Sequence, residues 1–112
     1  MYSHDKHRSA AFLAGVLGLP VGASMGHFVP VVIDGVTFDF DDHDGPFTPQ
    51  HYAFLVSDDV FDHGFARICD DGIEYWADPG LQRPGEINRR GGGRGVYFRG
   101  PDGHLMELLT VA

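Results

Sequence analysis

The chain has 112 residues, of which 43% are hydrophobic and nine are Phe, enough for one domain with its own core. Sixteen acidic residues against eight basic ones give a formal net charge of −8, which argues against nucleic-acid backbones and anionic membrane surfaces as partners. A single cysteine, Cys69, permits neither an internal disulfide nor a Cys-rich zinc site, whereas seven histidines direct attention to metal or acid–base chemistry.

The residues after Met1 lack the apolar region of a signal peptide, and the apolar stretch from Ala10 to Val21 is too short to span a bilayer. The reading is a soluble, cytoplasmic protein. Asp5 precedes a helix predicted over Arg8 to Leu19, with Phe12, Leu13, Val16 and Leu17 at helical spacing and Gly18 and Pro20 ending it. Two strands follow, His27 to Ile33 and Val36 to Phe40, joined by the hairpin signal Asp34-Gly35. A polar loop, Asp41 to Gln50, leads into a strand over His51 to Val56. Ser57, Asp58 and Asp59 are candidate caps for a helix through Asp70, with Phe61, Phe65 and Ile68 on one face. After Asp71-Gly72 come a short strand, Ile73 to Trp76, and a long segment, Asp78 to Gly93, that reads as a mobile pocket rim. The strands Gly95 to Arg99 and His104 to Val111 close the chain around a turn at Gly100-Pro101-Asp102-Gly103.

The two halves repeat. Each carries Asp-Gly followed by an apolar strand with an acid four residues after the glycine: Asp39 in the first half and Glu107 in the second. Glu107 sits within Leu105-Met106-Glu107-Leu108-Leu109, where both strand faces are apolar. It reads either as an edge-strand Glu reaching water or as a desolvated metal ligand or general acid/base. His51 opens the repeat unit that Glu107 closes, so side-by-side outer strands would bring imidazole and carboxylate to one cation. Asp39 lies on a better alternating strand and reads as solvent-facing. Tyr97 and Arg94 either point into a pocket or simply pack and solvate. His4, His7, His43, His63 and His104 have exposure as their default, and Gly91 to Gly93 read as a flexible approach to a strand.

Gly92-Gly93-Arg94-Gly95-Val96-Tyr97-Phe98 followed by Pro101-Asp102-Gly103-His104-Leu105-Met106-Glu107 resembles the closing hairpin of the vicinal oxygen chelate superfamily, the glyoxalase, bleomycin-resistance and dioxygenase proteins. His51 to Val56 resembles the strand opening their second module, and Phe12 to Pro20 the helix ending of the first. The resemblance implies an α+β fold of paired βαβββ modules, about residues 1–47 and 50–112, forming a cupped mixed sheet around a small-molecule cavity, and a homodimer. It implies one divalent ion held by a His on the first module's opening strand, by His51 and by Glu107, with an acid at Asp39 in the glyoxalase type. Most of that opening strand, with its His, is missing here, Tyr2 to Asp5 matching only its end and the following turn, and His4 is a possible additional ligand. The function implied is a metal-dependent enzyme chelating vicinal oxygens of a small-molecule substrate. Fe(II) and dioxygenase-like chemistry are favoured, Ni, Zn or Mn being possible, with Glu107 and Tyr97 catalytic and Tyr75, Trp76, Tyr97 and Arg94 binding substrate. The alternative is a metal-free protein that sequesters a drug or metabolite by aromatic stacking.

Overall fold

The computed structural model describes residues 1–112. It is an α+β arrangement of two sheets and two helices, with no helix long and apolar enough to cross a membrane. Strand β1, Tyr2–Ser3, leads into helix α1, Lys6–Leu17, then β2, Val29–Ile33, and β3, Val36–Asp42. Strand β4, His51–Leu55, helix α2, Asp58–Asp70, β5, Tyr75–Trp76, β6, Gly95–Arg99, and β7, Leu105–Leu109, complete a βαβββ unit. The first three strands form one sheet in the order β1-β3-β2 and the other four a second sheet in the order β4-β7-β6-β5. The expected remnant of the first module's opening strand is real but short: Tyr2 and Ser3 pair in parallel with Asp41 and Asp42, as β4 pairs in parallel with β7.

Local chemistry explains the element ends. The Asp5 carboxylate caps α1 by accepting from the Arg8 N–H, which starts the helix two residues earlier than the apolar spacing alone predicts. Gly18, at φ 71°, takes the left-handed position that ends it. Ser57 caps α2 through the Val60 N–H, and Asp58 and Asp59 occupy the first turn, where the helix dipole favours carboxylates. Asp34 and Gly35 both have positive φ, as a tight two-residue hairpin requires. Phe12, Ile73, Tyr75 and Phe65 lie at the margin of a core built from Leu13, Val16, Phe40, Phe54, Phe61, Ile68, Phe98 and Leu108. The helices therefore cover one face of the sheets and leave the other face open.

The predicted mobile rim is instead well fastened. Asp78 accepts from the Gln82 and Arg83 N–H groups, Asn88 donates its amide to the Ala77 carbonyl, and Gly95 and Asn88 exchange backbone bonds. Gly91 and Gly92, both at positive φ, make a single 3-10 turn over Arg90–Gly92. His104 departs from its expected exposure. It is 3% exposed, accepting from the Gln50 N–H at Nδ1 (3.0 Å) and donating from Nε2 to the Tyr2 carbonyl (2.8 Å). Because an amide N–H can only donate and a carbonyl can only accept, the ring is held as the neutral Nε2–H tautomer.

Candidate metal centre on the open face of the second sheet

Strand register decides which side chains share the open face. Ala53 pairs with Glu107, and Glu107 with Tyr97; two residues along, His51 pairs with Leu105; Trp76 pairs with Tyr97 from the far side. Since alternate residues point to opposite faces, His51, Glu107, Tyr97 and Trp76 share one face while Val96, Phe98, Met106 and Leu108 fill the core on the other. Glu107 is 8% exposed, a carboxylate on the central pair of strands that needs a partner. Its partner is His51, whose Nε2 lies 3.1 Å from Glu107 Oε1. That separation matches two adjacent donors on one octahedral ion with bonds of about 2.1 Å, so this imidazole nitrogen and carboxylate oxygen fit a divalent cation as two of its ligands.

Tyr97 backs the pair. It is 3% exposed, its ring centroid is 5.8 Å from that of His51, and its hydroxyl accepts from Arg90 Nη1 at 3.2 Å. Burial raises the Tyr97 phenol above its usual value; the Arg90 hydrogen bond opposes this, and the charge and hydrogen bonding of Glu107 reinforce it. The group is therefore a protonated hydroxyl at neutral pH. A hollow of about 210 Å³ opens beside Glu107, walled by Asn88, Arg90, Arg94, Leu109 and Val111.

Arg90 and Asn88 are the polar lining residues that sequence reasoning missed; they fall in an aperiodic loop with no pattern to orient them. Arg94 lines the hollow, but its guanidinium is bound to Asp62 (2.6 Å) and Asp58 (3.1 Å) of α2. Hydrogen bonds to Asp62 and then Asp58 hold its pKa above the usual value, so it stays charged and engaged. Trp76 is on the open face but 9% exposed, with Pro84 bridged to it. Tyr75 falls on the helix side, packing edge-on to Phe65 at 5.1 Å. The structure does not bring Asp39 or His4 to the pair: Asp39 is on the other sheet, and His4 packs its ring against Phe47 at 4.9 Å. No group of three or more His, Cys, Asp or Glu side chains converges anywhere in the chain.

The fold has counterparts among solved structures. "Oxidase ChaP-H2" superposes with a TM-score of 0.98 and 55% sequence identity, covering 100% of this chain and 89% of that one. The chain belongs to the vicinal oxygen chelate superfamily. A second superfamily structure, the fosfomycin resistance protein FosX from Mesorhizobium loti, shares the fold at 21% identity with a TM-score of 0.70, over 99% of this chain and 86% of that one. In sequence, 60 residues are 35% identical to the metallothiol transferase FosB of Shouchella clausii (strain KSM-K16), a match spanning 54% of this chain and 37% of that protein. No family model matches the chain.

Proposed function

We propose that this superfamily member is a divalent-metal-dependent enzyme that oxidises a small molecule bound through adjacent oxygens, with His51 and Glu107 as its metal ligands. The observation that carries the reading is the 3.1 Å approach of His51 Nε2 to a carboxylate otherwise buried in an apolar strand. The high identity to an oxidase supports oxygen chemistry, and with it Fe(II), over proton transfer on Ni, Zn or Mn. When bound, the ion supplies Lewis acidity to chelated substrate oxygens and positions open to further ligands.

The chain's own residues then have distinct parts. Glu107 brings negative charge to a low-dielectric surface where it attracts a cation strongly. The Tyr97 hydroxyl, kept protonated by burial, is a hydrogen-bond donor beside Glu107 and suits an anionic substrate oxygen. Arg90 holds that hydroxyl in place and adds positive charge at the mouth of the hollow. Exposed apolar side chains on the strands of both sheets, among them Val32, Val36 and Leu55, support a homodimer.

Anaerobic reconstitution with Fe, Ni, Zn and Mn in competition, followed by metal analysis of wild type, His51→Ala and Glu107→Ala, tests the reading. Near-stoichiometric Fe in wild type, lost from both variants, is the expected result. Preferential Ni or Zn points to isomerase or transferase chemistry at the same pair. Wild-type protein that retains no metal overturns the proposal in favour of a sequestering pocket.

A further inference from the structure

On the helix side, away from the proposed metal pair, α1, α2 and the end of β6 border an open depression of about 370 Å³. Its walls include Arg8 of α1, Arg67 of α2 and Arg99 of β6. Three of the eight basic residues of an acidic chain thus surround one depression. Arg67 donates from Nε to Asp71 at 2.8 Å, which leaves its Nη groups unpaired, and Arg8 and Arg99 have no ion-pair partner despite sixteen carboxylates in the chain. Of the carboxylates three residues from Arg8 and Arg99, Asp5 accepts from the Arg8 backbone N–H and Asp102 from the His4 N–H and the Ser9 hydroxyl. The floor is apolar, made of Phe12, Ile73 and Pro101.

We infer that this hollow binds a small organic oxyanion, its carboxylate, phosphate or sulfate held by Arg8, Arg67 and Arg99 and its apolar body resting on Phe12 and Ile73. Like charges brought together repel, and with Arg67 alone ion-paired, to Asp71, an anion placed among the three relieves that repulsion. Guanidinium groups present paired N–H donors that match two oxygens of one oxyanion, which is the geometry such a ring of arginines offers. The volume suits a one- or two-ring molecule, and an apolar floor with a few convergent polar groups is the usual composition of a small-molecule site. The site stands apart from the metal proposal, since none of its lining residues also lines the hollow beside Glu107.

Isothermal titration calorimetry with three probes tests it: 2-naphthoate, inorganic phosphate, and the neutral 2-naphthalenemethanol. Backbone amide NMR shifts at residues 8–12, 67, 73, 99 and 100 locate the binding. The structure predicts saturable naphthoate binding with shifts at those residues, weaker phosphate binding, and little binding of the alcohol. In the Arg8→Gln/Arg99→Gln double variant, whose changed side chains are exposed, naphthoate affinity should fall by about tenfold or more while metal retention is unchanged. No saturable binding of either anion, unchanged affinity in the double variant, or an alcohol that binds as well as the acid would each overturn the inference. Phosphate binding as tightly as naphthoate would overturn the part assigned to the apolar floor.

Discussion

The same substitution, Gly to Ala, should act with opposite sign in the two helices. Gly15 lies within α1 and Gly64 within α2, and in a free helix interior Ala is better than Gly by about 1 kcal/mol. At Gly15 the added methyl would sit 3.4 Å from Arg67 Nη2, an ordinary contact with the movable end of a long side chain. At Gly64 it would sit 2.8 Å from Leu108 Cδ1 and 2.9 Å from the Val16 carbonyl oxygen, the latter fixed in the backbone of the opposing helix. Relieving that overlap requires α1 and α2 to separate against a close-packed core, which costs about 1–3 kcal/mol and outweighs the propensity gain. Gly15→Ala should therefore stabilise by about 0.5–1 kcal/mol, and Gly64→Ala should destabilise by about 1–2 kcal/mol. Urea titration followed by circular dichroism reads both, and a change of 1 kcal/mol corresponds to about 4 °C or more in Tm for a domain of this size. If Gly64→Ala proves as stable as Gly15→Ala, the close approach of the helices at Val16 and Gly64 is wrong, and with it the placement of Leu108 beneath them.

Three further outcomes follow from the site and its surroundings. His104→Ala should destabilise by about 1–3 kcal/mol, because it removes a buried ring together with its two hydrogen bonds, to the Gln50 N–H and the Tyr2 carbonyl; faster hydrogen exchange at Gln50 locates the effect. Adding the preferred metal at about a hundred times its Kd should raise wild-type stability by about 2.7 kcal/mol and leave His51→Ala unmoved in a thermal melt. Burial raises the phenols of Tyr52, Tyr75 and Tyr97 above their usual value of about 10. Their contribution to stability is complete below that value and is lost as pH rises through the higher folded-state values. Absorbance at 295 nm should therefore show tyrosines ionising later than in a peptide, with unfolding following; normal titration of all four would refute it.

The central pair was legible because it rests on a repeat. The spacing from Gly103 to Glu107 and the place of His51 at the start of the same unit put imidazole and carboxylate on that unit's first and last strands. Their convergence needed only the parallel register of β4 with β7. The aromatic residues were legible as a group but not in phase. Tyr75 and Trp76 are neighbours on a two-residue strand, and only its register with Phe98 and Tyr97 decides that the tryptophan takes the open face. Arg94 could not be placed because its partners, Asp58 and Asp62, lie more than thirty residues away on a helix whose docking the sequence does not state. His104 was hidden for the same reason, since one of its partners is Gln50 and the other is near the start of the chain.

The turn between β6 and β7 gives the order of assembly an unexpected constraint. Asp102 takes up the His4 N–H and the Ser9 hydroxyl, and His104 takes up the Tyr2 carbonyl, so one short turn clasps both β1 and the start of α1. These contacts span more than ninety residues in sequence, the kind of closure that forms slowly and late. During vectorial synthesis the first strand and helix would leave the ribosome long before their fastener exists. A nascent chain stalled anywhere before residue 102 should hold its N-terminal strand loosely, and that strand should become resistant to proteolysis only as the final hairpin emerges.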